Sequence, residues 1–112
     1  GPSTFSVVYA KAAFAKNHPD WARSFYAALA LAMEAIKKDP PASVDKYLEV
    51  TGDRTDRALL LKIMSQPDFT FASVPQRTLD LAQFMYRAGL LKHDPKSWKD
   101  FFAEALHDQN GS

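Results

Sequence analysis

Three histidines are the first candidates for metal binding or acid–base chemistry in this chain of 112 residues. His18, His93 and His107 are widely separated, and no HExxH motif or pair of histidines four residues apart is present. A zinc ion needs ligands that converge on one tetrahedral site. We therefore interpret all three as surface histidines at helix edges, and we predict no metal site and no bound cofactor.

The remaining reactive residue types also lack a catalytic arrangement. Asp53 and Asp56 are close in sequence, but acidic residues before a helix favour capping over general acid–base catalysis. Ser24, Ser43 and Ser65 have no His–Asp neighbourhood that the sequence reveals. The chain has no Cys, which excludes disulfides, thiolate metal sites and cysteine nucleophiles. We predict no catalytic residues and expect that the chain is not an enzyme.

Charge and composition argue against further classes of function. Lys and Arg total 14 and Asp and Glu total 13, a balance that argues against a nucleic-acid partner. Arg77 and Arg87 lie opposite the apolar faces of their predicted helices, where solvated charge is ordinary. Anion binding through the forked guanidinium is the alternative. A hydrophobic content of 46% indicates a folded domain rather than a disordered one.

Apolar periodicity, caps and prolines predict five helices, near residues 19–38, 40–50, 55–65, 74–88 and 97–107. In the first, apolar residues recur at steps of three and four from Trp21 to Ile36. Asp39 is the predicted cap of the second helix, and Gly52 is its predicted stop. Residues 73–76 and 97–100 both carry a capping-box pattern.

Residues 5–10 are the one candidate strand, because Val7, Val8 and Tyr9 all favour extended backbone. Residues 11–16 favour helix, and residues 69–71 form a short alternating stretch that we interpret as an extended connector. A lone strand has no partner within the chain, so its sheet is expected elsewhere. The predicted fold class is mostly α, a bundle of about five helices with an orphan N-terminal strand.

The two ends are interpreted separately from the domain. Residues 1–4 have the character of a tag-cleavage scar, and the first Met is Met33. Residues 108–112 are polar and are expected to fray. Residues 5–107 then form a single helical domain, which we expect to be a piece of a longer protein.

Several stretches carry a family resemblance. VVYAKAAFA at 7–15 is followed by NHPDW at 17–21, FYAAL at 25–29 leads into AMEAIKKDP at 32–40, and residues 84–91 end in RAGLL. Together they resemble the periplasmic substrate-binding proteins of nitrate/sulfonate/taurine ABC transporters, a family that also includes pyrimidine-precursor binders. The resemblance covers about residues 5–106 and consists of diffuse helical patterns.

The resemblance implies a place in a larger fold. Such proteins have two α/β lobes with a ligand cleft between them, and this segment is similar to the C-terminal part of lobe 1. Residues 5–10 would be the crossover strand that returns to that lobe. The parent would capture a small solute in the periplasm, or another extracytoplasmic space, and deliver it to a membrane permease. Tyr9, near the hinge and cleft, is the candidate ligand-binding residue.

An alternative from another class is a stand-alone helical module for protein–protein interaction, derived from the same fold. Under either interpretation, an exposed strand edge favours self-association. We expect a homodimer through residues 5–16, either by strand pairing or by packing of a helical segment on the partner's long helix. The competing outcome is a monomer in which residues 5–16 fold back as a helix.

Overall fold

The computed structural model describes residues 2–112, which divide into two compact units. One unit combines residues 2–26 with Val74–Ser112, and the other is Ala27–Ser73. The α-helices are α1 (Ala12–Asn17), α2 (Pro19–Lys38), α3 (Pro40–Thr51), α4 (Arg57–Met64) and α5 (Thr78–Arg87), followed by short 3-10 helices at Trp98–Asp100 and Glu104–Leu106. The prediction of a mostly helical chain is confirmed, and no strand occurs between residues 2 and 112.

Helix α3 begins after the cap and ends before the glycine that the sequence predicts. The Asp39 carboxylate accepts a hydrogen bond from the Ala42 amide at 3.0 Å, and two prolines open the helix. Gly52 ends it with a φ of 65°, a left-handed conformation that glycine adopts without steric cost. Its amide donates to the Leu48 carbonyl at 3.0 Å. Both the predicted cap and the predicted stop are confirmed.

Helices α3 and α4 pack against each other within the 27–73 unit. Val44 of α3 is the most deeply buried side chain there, with 1% of its surface exposed. Asp56 caps α4 by accepting from the Leu59 amide at 3.0 Å, as predicted for this carboxylate. Arg57 joins the two helices by donating from Nε and Nη2 to the two carboxylate oxygens of Asp45.

The predicted strand at residues 5–10 is wrong. These residues have no regular secondary structure, and their backbone makes no hydrogen bond to another residue of the described chain. The preceding residue, Thr4, is paired with Gln76. The Thr4 amide donates to the Gln76 carbonyl at 2.9 Å, and the Thr4 hydroxyl accepts from the Gln76 amide at 2.9 Å. Strand propensity without a neighbouring strand leaves the backbone unpaired, so the segment stays irregular.

Helix α5 begins four residues later than the predicted 74–88 helix, and the predicted capping box at 73–76 does not form. The amide of Gln76 donates to Thr4, and the amides of Arg77 and Thr78 donate to Ser112. These three amides are therefore bonded to Thr4 and Ser112 rather than to a capping side chain, and the helix starts at Thr78. The helix is followed by a glycine in the left-handed conformation, with Gly89 at φ 77° and the Leu90 amide bonded to the Met85 carbonyl.

The predicted helix at 97–107 is wrong beyond its first turn. The capping box of Ser97 and Asp100 forms, but it opens only a 3-10 turn. The rings of Phe102 and His107 both approach Trp98, at 6.0 and 5.9 Å between centroids. In one α-helix a residue nine positions on lies on the opposite face, so both contacts require a break. Trp98 is thereby buried, with 7% of its surface exposed.

The polar tail expected to fray at 108–112 is held in place at its end. Gly111 packs against Pro75 and Trp98, where a Cβ would lie 3.0 Å from each side chain. The Ser112 amide donates to the Pro75 carbonyl at 2.9 Å, and a Ser112 main-chain oxygen accepts from the Thr78 amide at 2.8 Å. Within the described residues, no helix is long and apolar enough to cross a membrane.

Candidate functional site

An apolar groove with a volume of about 290 Å³ lies within the 27–73 unit. It is formed by the end of α2, one face each of α3 and α4, and the connector after α4. Its lining residues are Ile36, Ser43, Tyr47, Leu60, Ile63, Met64, Phe69 and Phe71. We refer to this surface as the apolar groove.

Local sequence patterns explain how these residues converge. Leu60, Ile63 and Met64 lie at spacings of three and four, which places them on one face of α4. Phe69 and Phe71 are two residues apart in the segment after α4 and both line the groove, and their rings meet edge to face with centroids 5.3 Å apart. A helix face and a two-residue alternation therefore supply two walls of the same groove.

The polar atoms of the lining are already engaged. The Ser43 hydroxyl donates to the Asp39 carbonyl at 3.0 Å, and the Tyr47 hydroxyl donates to the Asp53 carboxylate at 2.6 Å. Few groups remain for orienting a polar ligand, whereas specific sites place several convergent polar groups. The groove is therefore suited to apolar side chains rather than to a charged solute.

Asp53 anchors the turn between α3 and α4. Besides the Tyr47 hydroxyl, it accepts from the Thr55 hydroxyl at 2.7 Å and the Thr55 amide at 2.9 Å. These donors, led by the phenol, lower the pKa of Asp53 to about 2, and the same contact raises the pKa of Tyr47. A carboxylate stabilised in this way is a weak general base, so it has a structural role.

Asp45 and Asp100 follow the same pattern. Hydrogen bonding to Arg57 lowers the pKa of Asp45 and raises the pKa of Arg57. The backbone amides of Lys96 and Ser97 lower the pKa of Asp100 at its capping box. None of these three carboxyl groups has the raised pKa of a catalytic acid. Each holds a turn or joins two helices.

The structure does not bring the predicted site residues together. Tyr9 is 91% exposed and makes no hydrogen bond to the described chain. His18 lies against the Phe14 ring at 4.6 Å, while His93 is exposed in the loop after α5. His107 is half-buried, contrary to its interpretation as a surface residue, and its Nε2 donates to the Phe102 carbonyl at 2.8 Å.

The two arginines considered for anion binding lie at opposite ends of α5. Arg77 precedes the helix with a φ of 54°, and its Nε lies 3.5 Å from the Asp80 carboxylate. Arg87 lies in the last turn, where a cation complements the helix dipole. Among residues 2–112, no three His, Cys, Asp or Glu side chains are grouped so as to hold a metal ion.

Sequence reasoning missed the apolar groove because it treated residues 69–71 as a plain connector. The alternation of Phe69 and Phe71 was the available signal, together with the spacing of Leu60, Ile63 and Met64. Neither pattern reveals that the two segments line one groove together with α3, which is a tertiary relation.

No protein-family model, curated protein or solved structure matches this chain. The family resemblance therefore depends on the residues that carry it.

Proposed function

We propose that this chain is the C-terminal helical part of a lobe from a substrate-binding protein of an ABC transporter. The observation that carries the proposal is the state of residues 5–9. They are apolar and strand-favouring, yet Phe5 is fully exposed, Val8 is 69% exposed and the backbone is unpaired. A strand separated from its sheet has these properties, because a sheet would supply the missing hydrogen bonds.

The total exposed surface supports the proposal. The chain exposes 8864 Å². Two fully separated compact domains with the masses of the two units would expose only roughly 7,400 Å². The excess therefore does not depend on how the units are arranged. It includes large side chains such as Trp21, Leu81 and Phe84. A helical layer that normally covers a sheet would leave such surface open.

The role that we propose is non-catalytic. The Ser43 and Ser65 hydroxyls donate to helix carbonyls of Asp39 and Leu61, which is ordinary for helical serines. The carboxylates with shifted pKa values cap or join helices. The chain's contribution to the parent would be structural, with Tyr9 at the edge of the cleft.

At the level of the parent, the resemblance supports capture of a small solute of the nitrate, sulfonate, taurine or pyrimidine-precursor class. The loaded protein would then dock on a membrane permease in the periplasm or another extracytoplasmic space. The apolar groove described above does not suit such a solute, so the solute site would lie in the cleft between the two lobes.

The experiment compares this chain with the complete polypeptide that its gene encodes. We expect calorimetric titration of the complete protein with taurine, an alkanesulfonate, nitrate or a pyrimidine precursor to give a micromolar Kd for one of them. This chain alone should show weak or no binding, because one wall of the cleft is missing. A gene product that has no α/β region before this segment, or that binds none of these solutes, would contradict the proposal.

The second candidate is a stand-alone helical interaction module, and the apolar groove favours it. An open apolar groove at a helix pair is how helical and extended peptides are commonly recognised. The two candidates separate in the same experiment. The module requires a short gene product that folds without an added lobe and binds a protein rather than a solute.

A further inference from the structure

One wall of the apolar groove has unpaired backbone. Residues 69–72 have no regular secondary structure, and only the Phe69 amide is bonded, to the Gln66 carbonyl at 3.0 Å. The amides and carbonyls of residues 70–72 have no partner among residues 2–112. Unpaired backbone beside apolar pockets can accept an added strand, which supplies the missing hydrogen bonds. We refer to residues 69–72 as the acceptor edge.

The same chain contains a segment that fits this edge. Residues 5–9 have no regular secondary structure and no backbone hydrogen bond, and all but Ser6 are apolar or aromatic. We refer to them as the arm. Along extended backbone Phe5, Val7 and Tyr9 lie on one face and Ser6 and Val8 on the other. The arm therefore has an apolar face that matches a groove and a face on which Ser6 is polar.

The alternation determines the register. Pairing Ser6 with Thr70 places both on the outer face, and it places Phe5 and Val7 beside Phe69 and Phe71 over the groove. This holds for parallel and for antiparallel pairing, because the two orientations only exchange which phenylalanine meets which arm residue. A slip of one residue would turn Phe5 and Val7 outward.

Charge and area both favour a second copy as the occupant. Residues 2–18 carry Lys11 and Lys16 and no carboxylate, whereas residues 65–73 carry Asp68 and no cation. Each buried aromatic side chain removes about 150–250 Å² from water. Reciprocal burial of Phe5 in the groove and of Tyr9 beside it, from two arms and with the matching partner surface, reaches the roughly 1,200–2,000 Å² of a stable dimer.

We infer that two copies of this chain form a dimer in which the arm of each adds as a strand to the acceptor edge of the other. Each arm seats Phe5 and Val7 in the partner's apolar groove. The inference concerns this chain itself and does not depend on its descent from a binding protein. It assigns one acceptor surface and one pairing register to the self-association that the sequence predicts through residues 5–16.

Cysteine trapping tests the register, since the chain has no Cys of its own. The double substitution Ser6→Cys with Thr70→Cys should give a covalent dimer on oxidation, because directly paired residues meet the Cα separation of a disulfide. The matched control Val8→Cys with Thr70→Cys places the thiols diagonally, so it should cross-link far less. A disulfide that forms within one chain, or equal cross-linking of both pairs, would overturn the inference.

Light scattering tests the association itself. We expect the unmodified chain at high concentration to have twice the monomer mass of 12.5 kDa. Val7→Asp should return the mass to that of the monomer, because it places a charge in the groove, while Val8→Asp should leave the dimer in place. Val7 and Val8 are 59% and 69% exposed and lie outside the helices, and folding of each variant is checked by its helical circular dichroism. A monomeric unmodified chain, or any other ranking of the two variants, would overturn the inference.

Discussion

Asp53 shows how a single carboxylate can organise a turn. Its neighbours are hydrogen-bond donors, and they hold its pKa at about 2, below the roughly 3.9 of an unfolded Asp. Because the folded-state pKa is the lower one, Asp53 stabilises the fold at pH values above about 4. That contribution is lost as the pH falls from about 4 towards 2.

We therefore expect Asp53→Asn to lower the melting temperature at pH 7 and to flatten its decline between about pH 4 and pH 2. Glu104→Gln is the control, because Glu104 is exposed and makes no ion pair within residues 2–112. Thermal melts followed by circular dichroism at both pH values measure the effect. An unchanged acid profile in Asp53→Asn would show that the Tyr47 and Thr55 contacts do not stabilise the ionised form.

Gly111 is constrained by space rather than by backbone angle. An added Cβ would lie 3.0 Å from Pro75 and from the Trp98 ring, which are both buried. Gly111→Ala should therefore destabilise the fold by about 1–3 kcal/mol, the usual cost of overpacking. Chemical denaturation gives the value, and Asn110→Ala at the neighbouring exposed position should change stability by less than about 0.5 kcal/mol. Equal stabilities for the two variants would mean that the tail is not packed there.

At the scale of elements, α4 depends on its cap because it has only eight residues. Helices this short are marginal without added support. Asp56→Ala should cost about 1 kcal/mol, since it leaves the Leu59 amide without its partner. Asp56→Asn should retain most of the stability, because an amide oxygen also caps. A loss of similar size in both variants would indicate that the charge of Asp56, rather than the cap, stabilises α4.

The elements also show where local patterns suffice. The caps of α3 and α4 and the glycine stop at Gly52 form as the sequence predicts, because each needs only neighbours in the chain. The capping box at Ser97 forms too, but the helix does not continue. Trp98 packs beside Pro75 and Gly111, and the rings of Phe102 and His107 both lie against it. No continuous helix can place both of these rings beside Trp98.

At the scale of the whole molecule, the uncovered apolar surface should affect unfolding. A chain that already exposes 8864 Å² when folded gains less surface on unfolding. The denaturant m-value scales with that gain. Monomeric Val7→Asp should therefore have a urea m-value near the low end of the range for small proteins, about 1 kcal/mol/M. The unmodified chain at high concentration should have a larger value, because the dimer buries more surface. Identical m-values at all concentrations would argue against the added burial.

The sequence by itself determined that the chain is mostly helical, where α2 to α4 lie, and which residues begin and end them. It could do so because periodicity, caps and prolines act over a few residues. Tertiary structure decided the rest. Hydrogen bonds to Thr4 and Ser112 accompany the later start of α5 at Thr78, and packing around Trp98 interrupts the last predicted helix. The tertiary structure also brought Phe69 and Phe71 together with α4, forming a groove that no local pattern specifies. Each of these outcomes depends on a contact between residues distant in the chain, and such a contact can override local propensity because buried side chains and bonded amides contribute more free energy than propensity does.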